Sequence, residues 1–291
     1  MIAELFSVIA PVAICAAIGF LWARSGTPID VGQITRISVN LGTPCLIIAT
    51  FEQTRPDPAV FLEIAGATVA AFIGFAALGY AVLSLARLDI RDYLPALMFP
   101  NVGNMGLPLC FFAFGDPGLT FAIVIFMVTA IGNFTIGASL ARGSARLSEL
   151  ARMPVLYAVP AGLALVIWDL HLPQWLGNTV ELLGGLTIPL MLLALGVSLS
   201  RLTMASFTRS FGLSFVRLAG GFAVGVLVAW IFGLEGVARG VVILQATMPT
   251  AVFNYLFAER YGRAPSEVAG MVLSSTLLSF ATLPLLLWYL L

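Results

Sequence analysis

The sequence predicts an all-α membrane protein of ten transmembrane helices, built as two inverted five-helix repeats whose fourth and ninth helices are broken. Three observations predict it: a scarcity of charge, a one-sided placement of arginine, and proline landmarks that recur in order in each half of the chain. Only 10% of the 291 residues are charged and 60% are hydrophobic, with a mean hydropathy of +1.04. A soluble domain carries about 25% charged residues, so this chain cannot cover itself with solvated groups. Lipid is the solvent it fits, because apolar side chains face it at no cost.

The net charge is zero, from 14 basic and 14 acidic residues, and all the basic residues are arginine, with no polybasic tail. Nothing in that balance points to a nucleic-acid partner. Cys15, Cys45 and Cys110 stand singly in apolar runs, without CxxC or Cys/His spacing. Neither a disulfide frame nor a zinc site is indicated, and no cofactor motif is present.

A span needs roughly 20 apolar residues. Reading between charges and turn residues gives spans at 4–23, 33–51, 59–86, 92–114 and 117–141, then 154–169, 178–200, 207–232, 236–259 and 265–290. Arg24 follows the first apolar run instead of preceding it, so that run reads as a spanning helix and not a cleaved leader. With ten spans, Arg24, Arg36, Arg87, Arg91, Arg142, Arg146, Arg152, Arg201, Arg209, Arg217, Arg260 and Arg263 gather on one side. Arg55 and Arg239 alone fall on the other, so twelve of the 14 arginines share a side. That bias marks the cytoplasmic face and puts both termini outside.

The longest basic connection, residues 142–153, divides the chain into repeats at 1–141 and 154–291. Leu41-Gly-Thr-Pro44 in the second span corresponds to Leu186-Thr-Ile-Pro189 in the seventh. Pro100-Asn101-Val-Gly103-Asn104 in the fourth corresponds to Pro249-Thr250-Ala-Val-Phe-Asn254 in the ninth. Five spans per repeat force the halves to insert in opposite senses, the inverted-repeat plan of secondary transporters.

The fourth and ninth spans carry the chemistry. Asn101 lies nine residues past Asp92 and Pro249 ten past Arg239, about 14 and 15 Å at ~1.5 Å per residue, near the middle of a ~30 Å core. Gly103 weakens the helical turn after Pro100, and Asn101, Asn104 and Thr250 are residue types that cap freed amides. Broken backbone survives in lipid only where protein or a water-filled cavity receives it. The two helices run in opposite directions, so the amino ends of their second halves meet, each with about half a positive charge. Such an arrangement receives a carboxylate without a fixed cation. The carbonyl ends of the first halves lie close by and could take a cation instead. Ordinary proline kinks in packed helices are the plain alternative.

Gln245 and Thr247 precede the ninth-span break and either line the site or bond between helices. Asn133 has the same two readings. Asn40, just before Pro44, lines a cavity or merely marks a bend, and Gly221-Phe-Ala-Val-Gly225 fits close helix packing. Arg217 lies deeper than the other arginines and reads either as a functional charge or as a snorkelling side chain. No Asp or Glu lies mid-span, and His171, the only histidine, falls in an external turn. The parts for a proton relay or an intramembrane enzyme are therefore missing from the spans. Three readings remain: a carrier of a small organic acid, a sodium-coupled symporter of one, or a membrane sensor that binds without transport.

The stretches Pro100-Asn-Val-Gly-Asn104-Met-Gly-Leu-Pro108 and Met248-Pro249-Thr-Ala-Val-Phe-Asn254, with Leu195-Gly-Val-Ser-Leu199, resemble the auxin efflux carrier family. That family includes plant PIN-type exporters and bacterial malate permease-like proteins. The resemblance implies the fold shared by bile-acid symporters and sodium–proton antiporters, with a scaffold from spans one, two, six and seven. The rest would form an elevator-like transport part. It also implies that Asn101 and Asn104 line the substrate site and that Pro100 and Pro249 are the crossover prolines. A homodimer is suggested by analogy with relatives. The short 142–153 connection matches the bacterial branch, hence a bacterial inner membrane.

Overall fold

In hydrocarbon every backbone N–H and C=O must find a partner within the chain, which leaves helices as the economical solution for runs this apolar. The computed structural model describes residues 2–26, 29–137, 139–140, 151–202 and 207–291, and among these the regular structure is helical. Residues 141–150, which hold Arg142, Arg146 and most of the predicted 142–153 connection, lie outside the described residues.

Helix α1 spans Ile2–Arg24. Helix α2, Val31–Ile37, passes through a π turn at Ser38–Gly42 into α3, Thr43–Thr54. The turn has a local cause. Pro44 has no N–H for the carbonyl four residues back and its ring collides with it, so the ladder shifts by one. The Thr43 N–H and hydroxyl both donate to the Ser38 carbonyl. Helix α4 is Pro58–Leu85, started by the Asp57 carboxylate accepting from the Ala59 N–H at 2.8 Å. Helix α5, Ile90–Met98, ends at an extended Phe99; a second π turn, Val102–Gly106, leads into α6, Leu107–Gly132. Inside α6 the chain kinks at Gly115, whose φ of 64° suits glycine.

Helices α7 (Val155–Ile167), α8 (Gln174–Gly185), α9 (Thr187–Arg201) and α10 (Phe207–Ile231) come next. Then come α11 (Gly236–Ala246), α12 (Val252–Tyr261) and α13 (Pro265–Leu290). Among the described residues, seven helical stretches are long and apolar enough to cross a membrane. The structure differs from the expected span bounds in instructive places. The sixth span, expected at 154–169, is a helix of 13 residues. The seventh, expected at 178–200, begins at Gln174 and is interrupted at Leu186, where a helix rich in glycine meets one opened by Thr187 and Pro189.

Packing sorts the helices into two sets. Helix α1 lies along α9, while α3 packs on α7 and α8. In the second set α4 packs on α5, α6 and α10, and α10 packs on α11 and α13. Arg55 ties the first set together at one end. Its guanidinium donates to the carbonyls of Leu165 (3.0 Å) and Leu170 (2.7 Å) and pairs with Glu52.

Candidate functional site

The two predicted breaks are real and they touch. Between α5 and the π turn, and between α11 and α12, the extended strips around Pro100 and Thr250 form an isolated antiparallel bridge. The Asn101 N–H donates to the Pro249 carbonyl at 2.7 Å, and the Ala251 N–H donates to the Phe99 carbonyl at 3.1 Å. Proline dictates this arrangement locally: neither Pro100 nor Pro249 can donate, so each break exposes carbonyls that the other strand's amides satisfy.

Beyond the bridge the helices restart without side-chain caps. Asn101 precedes the π turn and Ala251 precedes α12, and neither makes a capping hydrogen bond. The capping roles expected for Asn101 and Thr250 are therefore corrected. The Thr250 hydroxyl reaches back to the Ala96 carbonyl at 3.0 Å, and its N–H donates to Ser275 Oγ at 3.1 Å. Asn254 likewise turns to the bridge, its Nδ2 donating to the Phe99 carbonyl at 3.0 Å. Buried carbonyls across the break, Ala96 in the last turn of α5 and Phe99 on the strip, were the stronger competitors for these side chains, because they need donors.

Two adjoining cavities lie against the restarted helices. The deeper, about 80 Å³, is lined by Pro100, Asn101, Gly103, Asn104, Thr129 and Asn133, among others. The larger, about 310 Å³, has Asn104, Ser198 and Phe253 on its wall and Arg201 and Glu259 at its exposed rim. Asn104 is common to both, so it stands at their junction. Three polar atoms of the deeper cavity are buried without a partner: Asn101 Nδ2, Thr129 Oγ1 and Asn133 Oδ1. Unpaired buried polar atoms each cost about 1–3 kcal/mol, so a cluster of them around one space points to a polar occupant. Thr129 escaped the sequence reading; only its spacing of four from Asn133, one face of a helix, could have flagged it.

Not every expected residue joins them. Asn40 is exposed on its π turn and lines neither cavity, although its neighbour Val39 does. Thr247 bonds the Ile243 carbonyl at 2.7 Å and faces an apolar lateral groove with Phe222 and Trp288. Gln245 is buried behind Pro100 and Thr129, its amide beside the Cys110 thiol. A Cβ on Gly106 would come within 2.7 Å of the Gln245 amide carbon, so that glycine makes room for it.

Arg217 is 2% exposed, which replaces the snorkelling reading. Its Nη1 donates to the Leu97 carbonyl at 3.0 Å, its Nε to Met248 at 3.3 Å and its Nη2 to Ala246, with the Phe75 ring 4.4 Å away. Gly221, one turn on, lets the chain approach: a Cβ there would lie 3.2 Å from the Ala246 carbonyl carbon and press on its oxygen. Gly221→Ala is expected to destabilise the protein by about 1–3 kcal/mol through overpacking, read as a lower Tm of the purified protein. A Tm equal to wild type would contradict this packing.

Residues 143–289 match the family described as membrane transport protein. An uncharacterized transporter of Methanothermobacter thermautotrophicus is 25% identical over 88% of each chain. One of Methanocaldococcus jannaschii is 24% identical over 76% of this chain and 75% of its own. A protein of Rhizobium meliloti named "Putative malonate transporter" is 24% identical over 89% of this chain and 86% of its own.

Proposed function

The chain belongs to the membrane transport protein family, that of the auxin efflux carriers, and from this premise we propose that it carries a small organic anion by alternating access. The observation that carries the proposal is the crossover: two uncapped helix amino ends opening onto a cavity with unpartnered Asn101, Thr129 and Asn133. Amide dipoles there favour negative charge by about half a unit per helix. The amide of Asn101 and the hydroxyl of Thr129 can donate to a carboxylate, and among the described residues no acid lines the cavity. A carboxylate is thus the class of substrate that fits, and the name of the Rhizobium relative is in keeping with it.

In this reading the chain crosses ten times. α5 continues through the π turn to Gly115 as the fourth crossing, and α11 with α12 makes the ninth. The packing supports an inverted repeat, since contacts come in exchanged pairs. The first span lies on the seventh and the second on the sixth; the third packs on the fourth and the eighth on the ninth. The set of α1, α2, α3, α7, α8 and α9 would stand still while the other set shuttles the crossover. The 310 Å³ cavity opens at Arg201 and Glu259, on the arginine-rich side, so this conformation faces the cytoplasm under the positive-inside rule.

Uptake of mono- and dicarboxylates into proteoliposomes tests the reading. Asn101→Ala and Asn104→Ala are each expected to lower flux at least ~10-fold, the cost of a lost hydrogen bond to a charged group. Undiminished flux in both would remove the site, and uptake of amines in place of acids would reverse its sign.

A further inference from the structure

The crossover has a second pole, where the carbonyl ends of α5 and α11 meet. A broken helix leaves about half a negative charge at its carboxyl end, and two such ends make a cage suited to a metal cation. Most carbonyls of that pole have a donor in the structure. Pro95 accepts from the Phe99 N–H and Ala96 from the Thr250 hydroxyl, while Leu97 accepts from Arg217. On α11, Ile243 and Leu244 accept from the Thr247 N–H, Gln245 from the Met248 N–H, and Ala246 and Met248 from Arg217. The guanidinium thus takes carbonyls on both sides of the crossover, Leu97 on α5 and Ala246 and Met248 at the end of α11. Its partners are carbonyls and the Phe75 ring, with no carboxylate among them.

We propose that Arg217 is the resident cation of the crossover, filling the carbonyl cage that an alkali cation would otherwise occupy, so that anion carriage needs no coupling ion. The charge balance is close: two half-charges of about −0.5 each meet one guanidinium. Arginine keeps its proton even where water is excluded, and its planar fork reaches carbonyls on two helices at once. The counter-charge is therefore covalently fixed and stays with the crossover through every conformation. Had those carbonyls been free, their convergence would have invited an ion from solution. The proposal rests on the carrier reading for its consequence, but its physical core, a cage already filled, can be read without flux.

Thermal unfolding of the purified full-length protein in sodium, potassium or choline chloride gives that reading. Wild type is expected to melt at one temperature in all three. Arg217→Ala is expected to melt lower in choline and to recover by about 5 °C with sodium or low millimolar guanidinium, saturably, as a ligand refills the cage. In proteoliposomes its carboxylate flux should become cation-dependent by at least about fivefold, whereas Arg217→Lys, which keeps the charge, should stay independent. Saturable stabilisation of wild type by sodium overturns the proposal, as does Arg217→Ala that no cation restores. If Arg217→Ala does not fold, the comparison in wild type and Arg217→Lys decides: a sodium effect on either overturns it, and none in both upholds it. Absence of carboxylate flux under every condition strikes the carrier reading alone, since the melting data stand apart from it.

Discussion

Asn104→Asp is expected to silence organic-anion uptake while leaving the protein as stable as wild type. Asn104 lies in the first turn of the restarted helix, half-buried at the junction of the two cavities. A carboxylate in a helix's first turn interacts favourably with the amide dipoles, by about 0.3–1 kcal/mol, so folding should not suffer. Transport should. The new charge occupies the field meant for the substrate, and at ~5 Å and an effective dielectric of ~20 the repulsion is about 3 kcal/mol, roughly two orders of magnitude in affinity. Asn104→Ala, which removes a contact without adding charge, should lose less, so the order wild type, Ala, Asp separates electrostatics from shape. The aspartate variant also carries its own control. Protonation makes it a near-isostere of asparagine, so its uptake should rise as pH falls into the range where a carboxyl takes up a proton. The wild-type curve in that range should lack the rise. Flux of the Asp variant equal to wild type at neutral pH would mean that the cavity holds no anion.

The site was legible in proportion to how much of it is backbone. Pro100 and Pro249 forecast breaks at equal depth because proline's missing donor and fixed φ act regardless of context. The fate of the neighbouring side chains was not forecast, because capping and bridging compete for the same donors. Thr250 and Asn254 went to carbonyls of the other broken helix, Ala96 in the last turn of α5 and Phe99 just past it, more than 150 residues away in sequence, a choice that local propensity cannot register. The π turns were missed for a related reason. Pro44 and Pro108 each sit two residues beyond one, and only the packed structure decides whether a proline bends a helix or shifts its ladder by a residue. Arg217 shows the limit most plainly. Its depth could be counted from Arg209, but its partners are main-chain atoms of Leu97, Ala246 and Met248, which no side-chain pattern reveals. Asn40 failed in the opposite way: a polar residue beside a predicted kink, it lies one position away from Val39, which does face the cavity.

Gly196→Ala should cause the largest loss of stability of any single methyl added to the set of helices packed around α1, α3 and α9. Without a hydrophobic drive between helices in lipid, association depends on close van der Waals approach, which small residues permit. Helices α1 and α9 use this in both directions: Gly196 faces the Ala16 carbonyl and Gly19 faces the Leu193 carbonyl. A Cβ on Gly196 would drive into the Ala16 carbonyl and stand 2.7 Å from the Phe20 nitrogen. Both obstacles are helix backbone, which cannot rotate aside as a side chain would, so the helices must part along their length. The cost should reach the upper end of overpacking, about 3 kcal/mol, or a Tm lower by about 5 °C for a chain of this size. Gly177→Ala is the matched control. It lies within α8 with nothing inside 4 Å of the added carbon, and should be neutral or gain up to ~1 kcal/mol from reduced chain entropy. Because α9 also carries Ala194, Ser198 and Arg201 to the wall of the larger cavity, a partial separation should lower carboxylate flux before the protein unfolds. Equal melting of the two alanine variants would mean that α1 and α9 do not meet at this seam.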